Sequence, residues 1–129
     1  MEAKVVSRCL SIDGMMKYDK TAAFWGQCGS GNNWAYGFNV VSKLLKKEID
    51  HQIGTILEKY DCIDGFIIMQ SLAGGTGSGL GSYITEYIND MDLNRPILNL
   101  SVWPHSTGEV NVQNYNTMLT LQKIDEVIL

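Results

Sequence analysis

Ser71-Leu72-Ala73-Gly74-Gly75-Thr76-Gly77-Ser78-Gly79-Leu80-Gly81 stands between a short apolar run, Phe66-Ile67-Ile68-Met69, and apolar residues at helical spacing, Leu80, Tyr83, Ile84, Tyr87 and Ile88. The run lacks polar alternation, which predicts a strand covered on both faces, as in parallel sheets. The later residues follow the i, i+3, i+4, i+7, i+8 series of a helix packing on that sheet. A glycine-rich turn from strand to helix is where α/β folds hold phosphates. Glycines let the backbone approach an anion and take up positive φ, so that successive N–H groups point into one cavity. Thr76 and Ser78 add hydroxyl donors, and the helix terminus adds positive potential.

Working outward, large apolar residues upstream fall at Trp34, Phe38, Val41, Leu45, Ile49, Ile53, Ile56 and Tyr60, which predicts one long amphipathic helix. Ser30-Gly31-Asn32-Asn33 supplies its capping residues, and 61–65 is a turn that stops it. Downstream, Ile97 to Trp103 reads as a second strand behind Pro96. Pro104 to Gly108 reads as a loop before a third helical pattern through Val112, Tyr115 and Leu119. The order helix, strand, helix, strand, helix predicts a βαβ crossover and an α/β class with parallel strands. Two strands do not complete such a sheet, and the helical pattern still runs at Ile128-Leu129, so part of a larger domain is expected. Trp34, Trp103, Tyr83 and Tyr87 sit at core-like spacing, and Met69, Met91 and Met118 are expected to fill gaps in packing.

The chain has 129 residues, of which 45% are apolar and 19% charged, enough to bury a core and too few for two domains. Ten basic against fourteen acidic side chains give a net charge of −4, the wrong sign for a phosphate backbone or an anionic membrane. Neither nucleic acid nor a membrane is expected as a partner. Three cysteines without a C-x-x-C pair indicate neither a disulfide framework nor a zinc knuckle, and a reducing cytoplasm is the expected setting. No apolar run approaches the length of a membrane span or an export segment.

The type of phosphate site can be narrowed. A Walker A loop places lysine after its last glycine; Leu80 stands there, and no lysine occurs between Lys59 and Lys123. The dinucleotide fingerprint G-x-G-x-x-G also fails, because Gly75 and Gly77 are followed by Leu80, and Gly77 and Gly79 by Ser82. Without a cationic side chain, the charge must be met by backbone amides, hydroxyls, the helix terminus and a metal ion, which suits a nucleoside di- or triphosphate with magnesium. His51 and His105 lack partners at ligand spacing, and Asp61, Asp64, Asp90 and Asp92 read as turn and helix-end residues.

Ala73-Gly74-Gly75-Thr76-Gly77-Ser78-Gly79 resembles the glycine-rich signature of the tubulin family. Two further strings occur in the family's order. Ser30-Gly31-Asn32-Asn33-Trp34-Ala35-Tyr36-Gly37 is similar to its Asn-Asn phosphate loop, and Gln113-Asn114-Tyr115-Asn116 to its sugar loop. Within the family, Ala73, Trp34-Ala35-Tyr36-Gly37 and Trp103-Pro104 with Thr107-Gly108-Glu109-Val110 resemble the delta branch, as does Glu2-Ala3-Lys4-Val5-Val6 at the start of an acidic loop. The resemblance covers essentially the whole chain. It implies a partial Rossmann-like nucleotide-binding domain over 1–129, of tubulin/FtsZ type, with GTP and magnesium as ligands. Gly74, Gly75, Thr76, Gly77, Ser78 and Gly79 would hold the phosphates, with Ser71 and Ala73 at the loop entrance. Asn32 would approach the terminal phosphate, Gln113 the ribose, and Glu2 the metal. Gln113 stands where alpha and beta chains carry glutamate, and Ala3 replaces a family proline.

Gly26-Gln27-Cys28-Gly29 has the letters of the family's first phosphate loop, but it runs directly into Asn32-Asn33 and is read as a coincidence. Met1 then matches an internal methionine of the family. The implied role is microtubule organisation at centrioles and basal bodies in the cytoplasm, with other tubulin subunits or microtubule components as partners. Hydrolysis in polymerising tubulins uses an acid from the next subunit, so this chain alone is expected to bind rather than to hydrolyse. Another tubulin branch (epsilon, gamma, alpha or beta), the bacterial division polymers, and a small dinucleotide-binding α/β enzyme are the alternatives.

Overall fold

The computed structural model describes residues 3–12, 18–19, 22–26, 29–91, 95–108 and 110–128. A first helix, α1 (Ala3–Leu10), buries no residue and was not foreseen in the apolar periodicity. The long helix is built from α2 (Trp34–Tyr36), a π-helical turn (Gly37–Val41) and α3 (Ser42–Lys59). Strand β1 (Phe66–Ser71), a second π-helical turn (Thr76–Leu80), α4 (Gly81–Asp90), β2 (Ile97–Val102) and α5 (Gln113–Ile128) follow. The expected order of helices and strands is therefore found.

β1 and β2 pair in parallel from Phe66↔Ile97 to Ser71↔Val102, with α4 as the crossover. β1 runs two residues past its apolar run because Gln70 and Ser71 still pair with Ser101 and Val102, and Gln70 Nε2 donates to Asn99 Oδ1 at 3.0 Å. The expectation of a strand covered on both faces is corrected: Ile67, Met69, Leu98, Leu100 and Val102 are all more than half exposed. The alternation is in the burial rather than in the letters, since α4 packs on one face only. Trp103, Met69 and Met118 likewise stand exposed instead of filling the core.

The core sits between α3 and α4. Val41, Leu45, Ile49 and Leu80 are buried, and Phe24, Ile53, Tyr83, Ile84 and Tyr87 pack around them. The predicted stripe of α3 thus holds through Ile53, whereas Ile56 and Tyr60 lie beyond the core and are exposed. Trp34 stacks on Phe38 with ring centres 4.7 Å apart, and Phe38 meets Tyr83 edge-on at 6.1 Å, joining the start of the long helix to α4.

Lys123 on α5 closes this side, with Nζ 2.6 Å from Glu86 Oε1, 3.2 Å from Glu126 Oε2 and 5.6 Å from the centre of the Phe38 ring. Hydrogen bonding to Glu86 holds its ammonium above the usual lysine range. A raised folded-state value means stability that is fully present below the unfolded lysine value and lost as pH rises through the folded one. Lys123→Met is therefore expected to cost up to about 1 kcal/mol near neutral pH, the scale of a partly exposed pair. The difference should vanish in strongly alkaline buffer. Thermal melting of both proteins at the two pH values checks this.

Candidate functional site

Three segments converge at the carboxyl end of β1. The first is the turn before α2. Gly31 and Asn32 both adopt left-handed φ, 55° and 54°, and they are the positive-φ residues among those described. Glycine and asparagine are the residues that tolerate this conformation. Asn33 then caps the helix, its Oδ1 accepting from Tyr36 N at 3.1 Å, as the sequence predicts.

The second segment is the glycine loop, and its glycines serve another purpose than the one expected. None of Gly74, Gly75, Gly77 or Gly79 has positive φ. A methyl group on Gly75 would lie 2.8 Å from Ser30 Cβ and 2.9 Å from the Asn33 carbonyl oxygen. One on Gly79 would overlap the Trp34 carbonyl oxygen, and one on Gly37 would overlap that of Gly75. The two π turns thus meet backbone to backbone at Gly37 and Gly79, and Gly75 lies in the same close way against the turn at Ser30 and Asn33. Gly77 lies close to Ser71 in the same way, with its would-be Cβ 3.0 Å from the Ser71 oxygen. Gly74 alone of the four loop glycines has room for a methyl group, which would rest in ordinary contact with Asn32 Oδ1 at 3.9 Å.

The hydroxyls divide similarly. Ser30 Oγ and Thr76 Oγ1 are 3.0 Å apart, joining the turn to the loop across 46 residues. Ser78 is fully buried and donates to the Gly74 carbonyl, so its hydroxyl shapes the loop and does not open onto the crevice. Ser71 Oγ accepts from Ala73 N at 3.4 Å at the loop entrance.

The third segment is the start of α5. Gln113 Nε2 donates to the His105 carbonyl at 3.1 Å, while its Oε1 is buried without a partner beside Gly108. Its donor is spent on the loop, and an unused acceptor remains. Asn116 was quoted only as part of a string; it proves to be the residue in contact with both other segments. Its Oδ1 accepts from Trp34 N at 3.1 Å, and its Nδ2 donates to the carbonyls of Asn32 and Ala73, each at 2.8 Å. No periodicity marks such a residue; its only signal is an amide at the start of a helix that follows a loop.

The structure therefore brings the turn at 30–34 against the loop at Ala73–Thr76 through Ser30 and Asn116, sets Gly77 against Ser71, and leaves Gln113 engaged with the adjoining loop. Glu2, and Gln27 and Cys28 of the loop read as a coincidence, lie outside the described residues. No residue of 29–34 or 71–79 is charged. The first N–H groups of the helix that starts at the second π turn have no carbonyl one turn earlier, so the crevice can meet an anion with dipoles alone. Among the described residues there is no group of three or more His, Cys, Asp or Glu that could hold a metal. The Ser30 and Thr76 hydroxyls are bonded to each other, so a magnesium ion here would come with a phosphate chain and keep most of its waters. No helix among the described residues is long and apolar enough to cross a membrane.

Residues 1–128 match the family model described as Tubulin/FtsZ family, GTPase domain. The chain is similar to a tubulin delta chain of Homo sapiens, 45% identical over 127 residues, and to those of Canis lupus familiaris and Mus musculus at 44% and 43%. Each match takes in 96% of this chain, which spans 28% of the length of these relatives.

Proposed function

The chain belongs to the tubulin/FtsZ family, and from that premise we propose that residues 1–129 form part of a GTP-binding domain of a delta-tubulin-like cytoskeletal protein. The observation that carries the proposal is the charge-free junction at which the left-handed turn at Gly31–Asn32 meets the loop at Ala73–Thr76. A phosphate chain is the ligand that such a cradle of N–H groups suits. The backbone of Gly74, Gly75, Thr76 and Gly77, with the Thr76 hydroxyl, holds the phosphates, Ser71 and Ala73 form the entrance, and Asn32 reaches the outermost phosphate. Gly79 and Ser78 support the loop from behind. The unpartnered Oε1 of Gln113 accepts from a ribose hydroxyl. Magnesium accompanies the nucleotide, with Glu2 completing its shell. The partners are other tubulin subunits or microtubule components, and the setting is the cytoplasmic cytoskeleton at centrioles and basal bodies.

Calorimetric titration with GTP, ATP and NAD in magnesium buffer tests this. Preference for GTP is expected, and equal weak binding of all three overturns it. In the same assay Thr76→Val should weaken GTP binding by about 1–3 kcal/mol, because a hydroxyl bonded to a charged group is lost and the buried Ser30 is left without its partner. An unchanged affinity would remove Thr76 from the site.

A further inference from the structure

We propose that Asn116 is a positioning residue for the crevice, holding the Asn32 turn and the Ala73 loop in the arrangement that aims a backbone N–H at the phosphate. The inference rests on the nucleotide reading above and adds a residue to it. Asn116 is 3% exposed, so its amide is shielded from water and each of its bonds counts. Both Nδ2 protons are used, on the carbonyls of Asn32 and Ala73 at 2.8 Å, and Oδ1 takes the N–H of Trp34 at 3.1 Å. The orientation of the amide follows: turned over, it would set its oxygen against two carbonyl oxygens and its NH2 against an N–H.

The consequence lies in peptide geometry. In a planar trans peptide the C=O and N–H point in opposite directions. The carbonyl of Ala73 and the N–H of Gly74 belong to one such unit. With the Ala73 oxygen drawn onto Asn116 Nδ2, the Gly74 N–H of the same peptide points away from Asn116. That N–H takes no partner among the described residues. The same amide fixes the Asn32 carbonyl, so one side chain sets both the width of the crevice and the direction of its donor. Thr117, one residue on, adds a weaker tie from Oγ1 to the Leu72 carbonyl at 3.4 Å.

The test compares the chain with its Asn116→Asp and Asn116→Ala variants. GTP and GDP are titrated into each in magnesium buffer, affinities are corrected for the folded fraction, and melting temperatures are taken without nucleotide. Aspartate can still accept from Trp34 N but sets lone pairs against both carbonyls, so it breaks the link between the loops selectively. A fall in affinity of roughly tenfold or more is expected for N116A, and a larger one for N116D, for both nucleotides. Should N116D fail to fold, N116A carries the test, since alanine brings no charge. Lower melting temperatures with folded-state affinities within about twofold of the parent would make Asn116 merely structural and overturn the assignment, as would failure of both variants to fold. A parent chain that binds neither nucleotide sinks the nucleotide reading itself; a parent that binds, with variants that bind equally, sinks only Asn116.

Discussion

Gly79→Ala is expected to lower the free energy of unfolding by about 3 kcal/mol or more, at the upper end of what overpacking costs. The added methyl group would overlap the Trp34 carbonyl oxygen and lie 2.9 Å from Phe38 N and 3.1 Å from Gly37 Cα. All three are backbone atoms, so no change of rotamer relieves the overlap. The two π turns would have to separate, and Val41 and Leu80, buried on either side of that contact, would lose part of their packing. Urea unfolding followed by tryptophan fluorescence measures the loss. Gly54→Ala provides the control: it lies inside α3 with nothing within 4 Å of its would-be Cβ, so the same chemical change should raise stability, by up to about 1 kcal/mol. Equal effects at the two positions would show that the close approach of the turns does not constrain Gly79.

Leu72→Ala is expected to cost about 2–5 kcal/mol, the range for emptying a buried leucine site. Leu72 has no exposed surface, although its neighbours Ser71 and Ala73 border the crevice. Its N–H donates to the Val102 carbonyl at 3.1 Å, extending the sheet pairing by one residue, and its carbonyl accepts from Thr117. The side chain therefore anchors the base of the glycine loop in the core, one residue before the carbonyl that Asn116 grips. Calorimetric unfolding checks the magnitude, and a loss below about 1 kcal/mol would mean that the surroundings collapse into the space.

The order of elements was legible because it depends on periodicity, and periodicity survives in the letters. Val41, Leu45 and Ile49 fall on one helical face and are the apolar residues buried there. The covering of the sheet was not legible, since Phe66-Ile67-Ile68-Met69 is apolar throughout while only alternate residues are covered. The glycine string was legible as a turn from strand into helix, and its expected positive φ was not found. Glycine permits positive φ and close packing alike, and the letters do not say which is used. Here Gly75 and Gly79 make room for other backbone, and the left-handed geometry belongs to Gly31 and Asn32. Asn116 was invisible as a hub because its partners lie 43 and 84 residues away and are main-chain atoms, which carry no sequence signal.

The want of any charged side chain along 29–34 and 71–79 bears on kinetics. The field of a dipole fades with distance faster than that of a full charge, so the proposed nucleotide would be held here only at contact, with no local charge to steer it from afar. With the chain as a whole at −4, a phosphate ligand of the kind proposed would approach against a like net charge, so its encounter should quicken as added salt screens the repulsion. Affinity for the proposed nucleotide would then come from slow release rather than fast capture, and anything that loosens the grip would act on residence time first.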